Sequence, residues 1–269
     1  MQSNSTPKAP AAIADGSEEC LLFGVDVEKA GKLLTHSLMA VGFAVLSLSK
    51  GDIVASNTWC VGPPDDSNWE PRCIAEFWKD NIHVLNRIRA QGMPKQRVLQ
   101  SVAEFLTTWE AKVKPSSSPG WQGGVVLVSD APSFDESILN FEFQSLEDPV
   151  LENHTLHYTM PTPSRPSKWR SVEDCSERVA ALGLPRTFFE KFFEQHNVVH
   201  DHWPTNDATK HAWTHAICYA VIQWLHEYAD VNTSRNNLLA AFKGHMDAPN
   251  DGKRFICDLA LKHHVVANS

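Results

Sequence analysis

The stretch Cys20-Leu21-Leu22-Phe23-Gly24-Val25-Asp26-Val27-Glu28 decides how the chain is read. From Cys20 to Val27 only Asp26 interrupts an apolar run, the pattern of a strand buried on both faces. Side chains alternate along a strand, so Asp26 and Glu28 share one face. Two neighbouring anions at the end of such a strand repel each other and lose hydration, which is tolerable when protons or a multivalent cation compensate. Oxygen-only ligands suit Mg²⁺ or Mn²⁺. The plainer alternative is a strand that has already ended, with both acids facing water.

Two further strand-like runs follow, Leu38 to Leu48 and Ile53 to Cys60, separated by a Ser-Lys-Gly-Asp hairpin signal. Together the three predict an antiparallel meander. Beyond Pro63-Pro64 the periodicity predicts helices over Cys73 to Arg89 and Pro94 to Val113, the second with Val98, Val102, Phe105, Leu106 and Trp109 on one stripe. Val125 to Val128 is a short buried strand leading to a helix from near Asp135, and another strand is expected at Leu151 to Tyr158. Helices are expected at Ser171 to Leu182, Pro185 to His196, Asn206 to Tyr228, Arg235 to Met246 and Asp251 to His264. This order implies an α/β domain around a mixed sheet.

At 269 residues, 42% apolar and 21% charged, the chain can bury a real core. Residues 1 to 19 carry no apolar periodicity and read as a disordered arm, leaving one domain over 20 to 269. Against 24 Lys and Arg stand 32 Asp and Glu, a formal charge of −8, which argues against a protein that grips long duplexes by neutralising many phosphates. Six cysteines without a C-x-x-C pair read as reduced thiols. Neither a membrane-length apolar run nor a secretory leader is present, so a soluble intracellular protein, in cytoplasm or nucleus, is expected.

Two more pieces carry acids. Val128 runs into Ser129-Asp130-Ala131-Pro132-Ser133-Phe134-Asp135, and the carboxyl ends of strands are where α/β folds place their sites, so Asp135 is expected to meet Asp26 and Glu28. Asp130 competes for that role but reads as a turn or cap residue, and a helix cap is also the plainer reading of Asp135. The third piece is His202-Trp203-Pro204-Thr205-Asn206-Asp207, where Asp207 opens a helix bearing Ala208, Ala212, Ala216 and Ala220 at spacing four. A seam of small residues lets that helix lie close against another element, which would hold Asp207 near the sheet. A helix-start acid favoured by the macrodipole remains the alternative.

In order and spacing, Asp26-Val-Glu28, Ser133-Phe-Asp135 and His202 with Asp207 five positions on resemble the three blocks of the DEDDh family of 3′-to-5′ exonucleases, which includes proofreading subunits, RNase T and oligoribonuclease. The resemblance spans roughly Leu21 to Glu227. It implies an RNase H-like fold: a mixed sheet made of a three-strand antiparallel meander plus parallel strands, flanked by helices, with extra C-terminal helices. It also implies that Asp26, Glu28 and Asp207 ligate two Mg²⁺ or Mn²⁺ ions, that Asp135 completes the cluster partly through water, and that His202 is the general base activating the attacking water. The partners implied are 3′ ends of single-stranded DNA or RNA. Where family members often have Thr-Gly after the first block, this chain has Lys29-Ala30-Gly31, and 67 positions separate Asp135 from His202. The segment Trp69 to Trp78 resembles a stretch in phage and large-virus members.

That gap contains a proline-rich loop with Arg165, Lys168 and Arg170 and no acid, either a solvated connector or a local positive field for the phosphates. Phe43, Trp59, Trp69, Phe77 and Trp78 are candidates for stacking on terminal bases, with core packing as the alternative for each. Two rival functions stand beside the exonuclease. His200, His202, His211 and His215 have spacings that suit a zinc hydrolase, although 211 and 215 lie beside the alanine seam and read equally as partly exposed surface histidines. An RNase H-like module that binds nucleic acid, or serves as a scaffold, without turning over substrate is the other.

Overall fold

The computed structural model describes residues 20–62, 68–112, 125–145, 173–229 and 233–266. The apolar run becomes β1 (Leu21–Lys29), which pairs antiparallel with β2 (Leu38–Ser47), itself antiparallel to β3 (Asp52–Cys60). On the other side of β1 lie β4 (Val125–Ser129) and the two-residue β5 (Glu173–Asp174), both parallel to it. The order β3-β2-β1-β4-β5, a meander continued by parallel strands, is the mixed sheet that the resemblance implied. The strand expected at 151–158, the arm over 1–19 and the loop bearing Arg165, Lys168 and Arg170 lie outside the described residues.

Alternation sorts the strands into two cores. Leu21, Phe23, Val25 and Val27 pack under α3 (Lys95–Glu110) and α4 (Pro132–Gln144). Leu22, Val126 and Val128 face the long helix α7 (Pro204–Tyr228), which is backed by α8 (Arg235–Met246) and α9 (Gly252–Val266), the expected C-terminal helices. All ten residues of β2 are buried, because both faces of the sheet are covered there.

The alanine seam of α7 meets glycines on the sheet. A Cβ on Gly24 would stand 1.8 Å from the carbonyl oxygen of Ala208, and one on Gly42 would stand 2.2 Å from the carbonyl carbon of Pro204. Ala208, Ala212, Ala216 and Ala220 are fully buried. Small residues on both surfaces thus bring the backbone of α7 onto β1 and β2 at its N-terminal end, and that approach positions Asp207.

The helix expected over Cys73 to Arg89 is broken. A short turn, α1 (Pro71–Cys73), runs into a π-helical turn (Ile74–Trp78), and α2 (Ile82–Gln91) starts afresh after Asn81. The wider turn seats Trp78 in the interior, where its indole N–H donates to the Lys29 carbonyl at 3.2 Å. Such bulges recur at functional sites, and this one turns Cys73, Glu76 and Phe77 towards a pocket beside Glu28. Two shorter helices, α5 (Cys175–Ala181) and α6 (Thr187–Gln195), precede the loop that carries His202.

Candidate metal centre

β1 does not end before its acids. It continues to Lys29, with Asp26 opposite Gly42 and Glu28 opposite Ala40, so both carboxylates lie on the face that α7 covers. Glu28 and Asp207 are buried. Asp26, Glu28 and Asp207 each offer an oxygen within 4.8 Å of the other two. Burial pushes the Asp26 and Glu28 carboxyls well above the usual carboxylate range, and the negative charges of the neighbouring acids push the same way. One oxygen of Asp26, Oδ2, is buried without a hydrogen-bond partner.

Asp135 arrives from the opposite core. β4 pairs with β1 only as far as Gly24, so the Val27 N–H finds no strand partner there and donates to Asp135 Oδ1 at 3.2 Å. The Ser129 hydroxyl donates to the other oxygen. Helix α4 begins at Pro132, which places Asp135 inside the first turn with its carboxylate turned to β1 rather than capping the helix. Burial raises its carboxyl to about 7 against the lowering effect of Ser129.

The loop before α7 supplies imidazoles. His202 Nδ1 stands 3.9 Å from both Glu28 Oε1 and Asp207 Oδ2, a little beyond hydrogen-bond range. Its backbone is left-handed at φ +59°, a conformation that costs a non-glycine residue on the order of 1 kcal/mol. The carboxylate of Asp201 holds that bend by accepting from the Trp203 N–H and from Asn206. Burial, followed by the adjacent His200, keeps the His202 imidazole below its ordinary pKa, so it is neutral at physiological pH. His200 Nδ1 lies closer still to Asp207, at 3.0 Å, and this contact was not anticipated from spacing.

Several expectations change. Phe43 and Trp59 are buried, packed edge-on against each other, with Phe105 edge-on to Trp59 and tilted against Phe43, so they offer no face to a base. Trp78 is likewise interior. Of the five aromatics, Phe77 is the one beside the acids: it contacts His202 edge-on at 4.8 Å and, with Glu28, Lys32, Arg72 and Phe134, lines a pocket of about 280 Å³. Lys29 is buried, its ammonium donating to the carbonyls of Leu33 and Leu34.

His211 and His215 are buried rather than partly exposed, because the close approach of α7 leaves no solvent on that side. They also diverge. His215 packs on Tyr219, whereas His211 reaches back to β1, so the H-x-x-x-H pair does not form one ligand set. Asp130 is not a helix cap either: its carboxylate faces His211 Nε2 at 3.4 Å.

No protein-family model and no curated protein matches the sequence. Among solved structures the chain is similar to one titled "3'-end specific recognition of histone mRNA stem-loop by 3'-exonuclease", at 15% identity and TM-score 0.45 over 79% of this chain and 84% of that one. It is similar also to the nuclease domain of 3'hExo, a DEDDh family member, bound to rAMP, at 12% identity and TM-score 0.43 over 80% and 96% of the two chains. The zinc-bound E. coli ExoI–ssDNA complex matches at 11% and TM-score 0.40 over 85% of this chain and 43% of that one. These are faint likenesses of chain path, and the residue roles below follow from the geometry of this site. Among the described residues no helix is long and apolar enough to cross a membrane.

Proposed function

We propose that the protein is a metal-dependent 3′-to-5′ exonuclease that removes nucleotides from the end of a single strand of DNA or RNA. The observation that carries this reading is the convergence of Asp26, Glu28 and Asp207, from a strand and a helix far apart in sequence, around an oxygen of Asp26 that has no protein partner. Carboxylates crowded and desolvated in this way are stabilised by divalent cations, and an all-oxygen set suits Mg²⁺ or Mn²⁺.

Asp26, Glu28 and Asp207 would hold the cations, and Asp135 would complete the acidic set while keeping the end of β1 in place through Val27. Bound in a pair, such cations supply Lewis-acid activation of water and charge relief on the scissile phosphate. His202, neutral and next to Glu28 and Asp207, would accept the proton of the attacking water. The pocket between Phe77 and Phe134 would receive the terminal nucleotide, with Lys32 and Arg72 near its phosphates. Because an end is held rather than a length of strand, the net charge of −8 is no obstacle.

The test is digestion of matched DNA and RNA oligonucleotides labelled at the 5′ end, in Mg²⁺, in Mn²⁺ and in chelator. A ladder shortening from the 3′ end, dependent on the cation, is expected. Intact substrate under every cation sinks the reading and leaves a binding module in its place.

A further inference from the structure

We propose that Asp130 and His211 form, together with Asp26, a nitrogen-containing metal position adjoining the oxygen-only set, and that this position takes a first-row transition ion such as Mn²⁺ or Zn²⁺ in preference to Mg²⁺. The assignment deepens the nuclease reading and rests on it: of the pair of cations proposed above, one would lie at Asp26, Glu28 and Asp207 and this position would seat the other, with Asp26 common to both.

Four observations carry it. One ligand atom from each of Asp26, Asp130 and His211 lies within 4.8 Å of the other two. The separation of His211 Nε2 and Asp130 Oδ1, 3.4 Å, exceeds the ~2.7–2.9 Å of a charge-assisted hydrogen bond. It matches the spacing of two ligands each about 2.1 Å from one ion at the tetrahedral angle.

The imidazole is also prepared from behind. His211 is buried, and its Nδ1 is 3.0 Å from the Val25 carbonyl, to which it can only donate. A metal-ligating histidine characteristically gives its other ring N–H to a carbonyl in this way, which fixes the tautomer and aims Nε2. Val25 directly precedes Asp26, so two consecutive residues of β1 set both the ligand and its support. Finally, the unpartnered Asp26 Oδ2 makes Asp26 available to both ligand sets.

Access and selectivity follow from the surroundings. Asp130 is 48% exposed, and with His200 and His211 it lines an open cleft of about 730 Å³, so an ion can enter from solvent and keep water ligands. Imidazole nitrogen favours transition ions, whereas Mg²⁺ prefers oxygen alone.

The probe is Mn²⁺, titrated into the full chain and followed by electron paramagnetic resonance, with pulsed detection of nitrogen coupling to the bound ion. Two bound ions are expected, with a nitrogen coupling that disappears in His211→Gln and persists in His200→Gln and in His202→Gln. Mg²⁺ should displace the nitrogen-coupled ion at least tenfold less readily than the other. A single bound ion, or a nitrogen coupling unchanged in His211→Gln, overturns the proposal.

Should His211→Gln fail to fold, Asp130→Asn provides the second variant, since it leaves the His211 to Val25 bond in place. It should weaken the second ion at least fivefold, and an unchanged affinity overturns the proposal as well. Oligonucleotide digestion in the same samples separates the two readings. Both ions bound without hydrolysis defeats the nuclease alone, and hydrolysis with only one ion bound defeats only this position.

Discussion

The carbonyl oxygen of Ala208 occupies the space where Gly24 would carry a side chain. A strand residue and a helix residue 184 positions apart therefore touch backbone to backbone, and Asp207, next to Ala208, is thereby brought to the acids of β1. Replacing Gly24 with alanine must push α7 off the sheet. Overpacking of this kind typically costs about 1–3 kcal/mol, and the backbone atoms met here have little freedom to yield. Gly24→Ala should show that loss in chemical denaturation and should weaken Mn²⁺ binding. Gly244→Ala, on α8 where a Cβ meets nothing within 4 Å, should be neutral or stabilising by up to ~1 kcal/mol. Equal effects of the two substitutions would show that the close approach is not what matters.

Asp26 is desolvated and repelled by Glu28, Asp135, Asp207 and Asp130, so Asp26→Asn should act in opposite directions on folding and on function. Without metal the variant should melt at a higher temperature than wild type, because a buried charge is removed while the shape is kept. Its hydrolysis should fall by at least ~100-fold, since the shared ligand is lost. Melting curves in chelator, set beside oligonucleotide digestion, check both halves.

The raised carboxyls also set a pH dependence. Asp135 is pushed up to about 7, and Asp26 and Glu28 are well above their ordinary values, so the folded chain binds protons that the unfolded chain releases near pH 4. Stability from these groups is therefore greatest at low pH and is lost as pH climbs towards 7. In chelator the melting temperature should rise between pH 7.5 and 5.5, and Mn²⁺ should flatten that slope by taking the place of the protons. A metal-free profile that falls over this window would contradict the crowding of the acids.

His202 combines a functional side chain with a strained backbone. His202→Gly should be at least as stable as His202→Ala, by up to ~1 kcal/mol, because only glycine adopts φ +59° freely. Both variants should lose about 10²–10⁴-fold in hydrolysis rate, the usual contribution of a general base. Should His200→Gln prove the more damaging change instead, the imidazole nearer Asp207 is the base.

Much of the fold could be read from strand alternation and helix periodicity. Val25 and Val27 face one core while Asp26 and Glu28 face the other, and the alanines at spacing four marked the helix that covers those acids. The order of the acids along the chain likewise singled out Asp26, Glu28, Asp135 and Asp207. The π-turn at Ile74–Trp78 was hidden, since its extra residue serves to bury Trp78 against the Lys29 carbonyl, a contact 49 positions away. Phe43 and Trp59 looked like stacking residues only because composition does not say which face of a strand meets a helix.

What the chain determined on its own was local: which residues alternate, where helices begin, and that unpaired acids sit in apolar surroundings, because these follow from backbone geometry and from the cost of burying charge. Tertiary structure alone decided which groups meet. Asp130 faces His211, His200 faces Asp207 and Asp135 takes the Val27 N–H because β4 leaves β1 at Gly24 and α7 crosses at glycine. Those are distances between elements, set by how closely two surfaces pack, and no spacing along a single strand or helix encodes them.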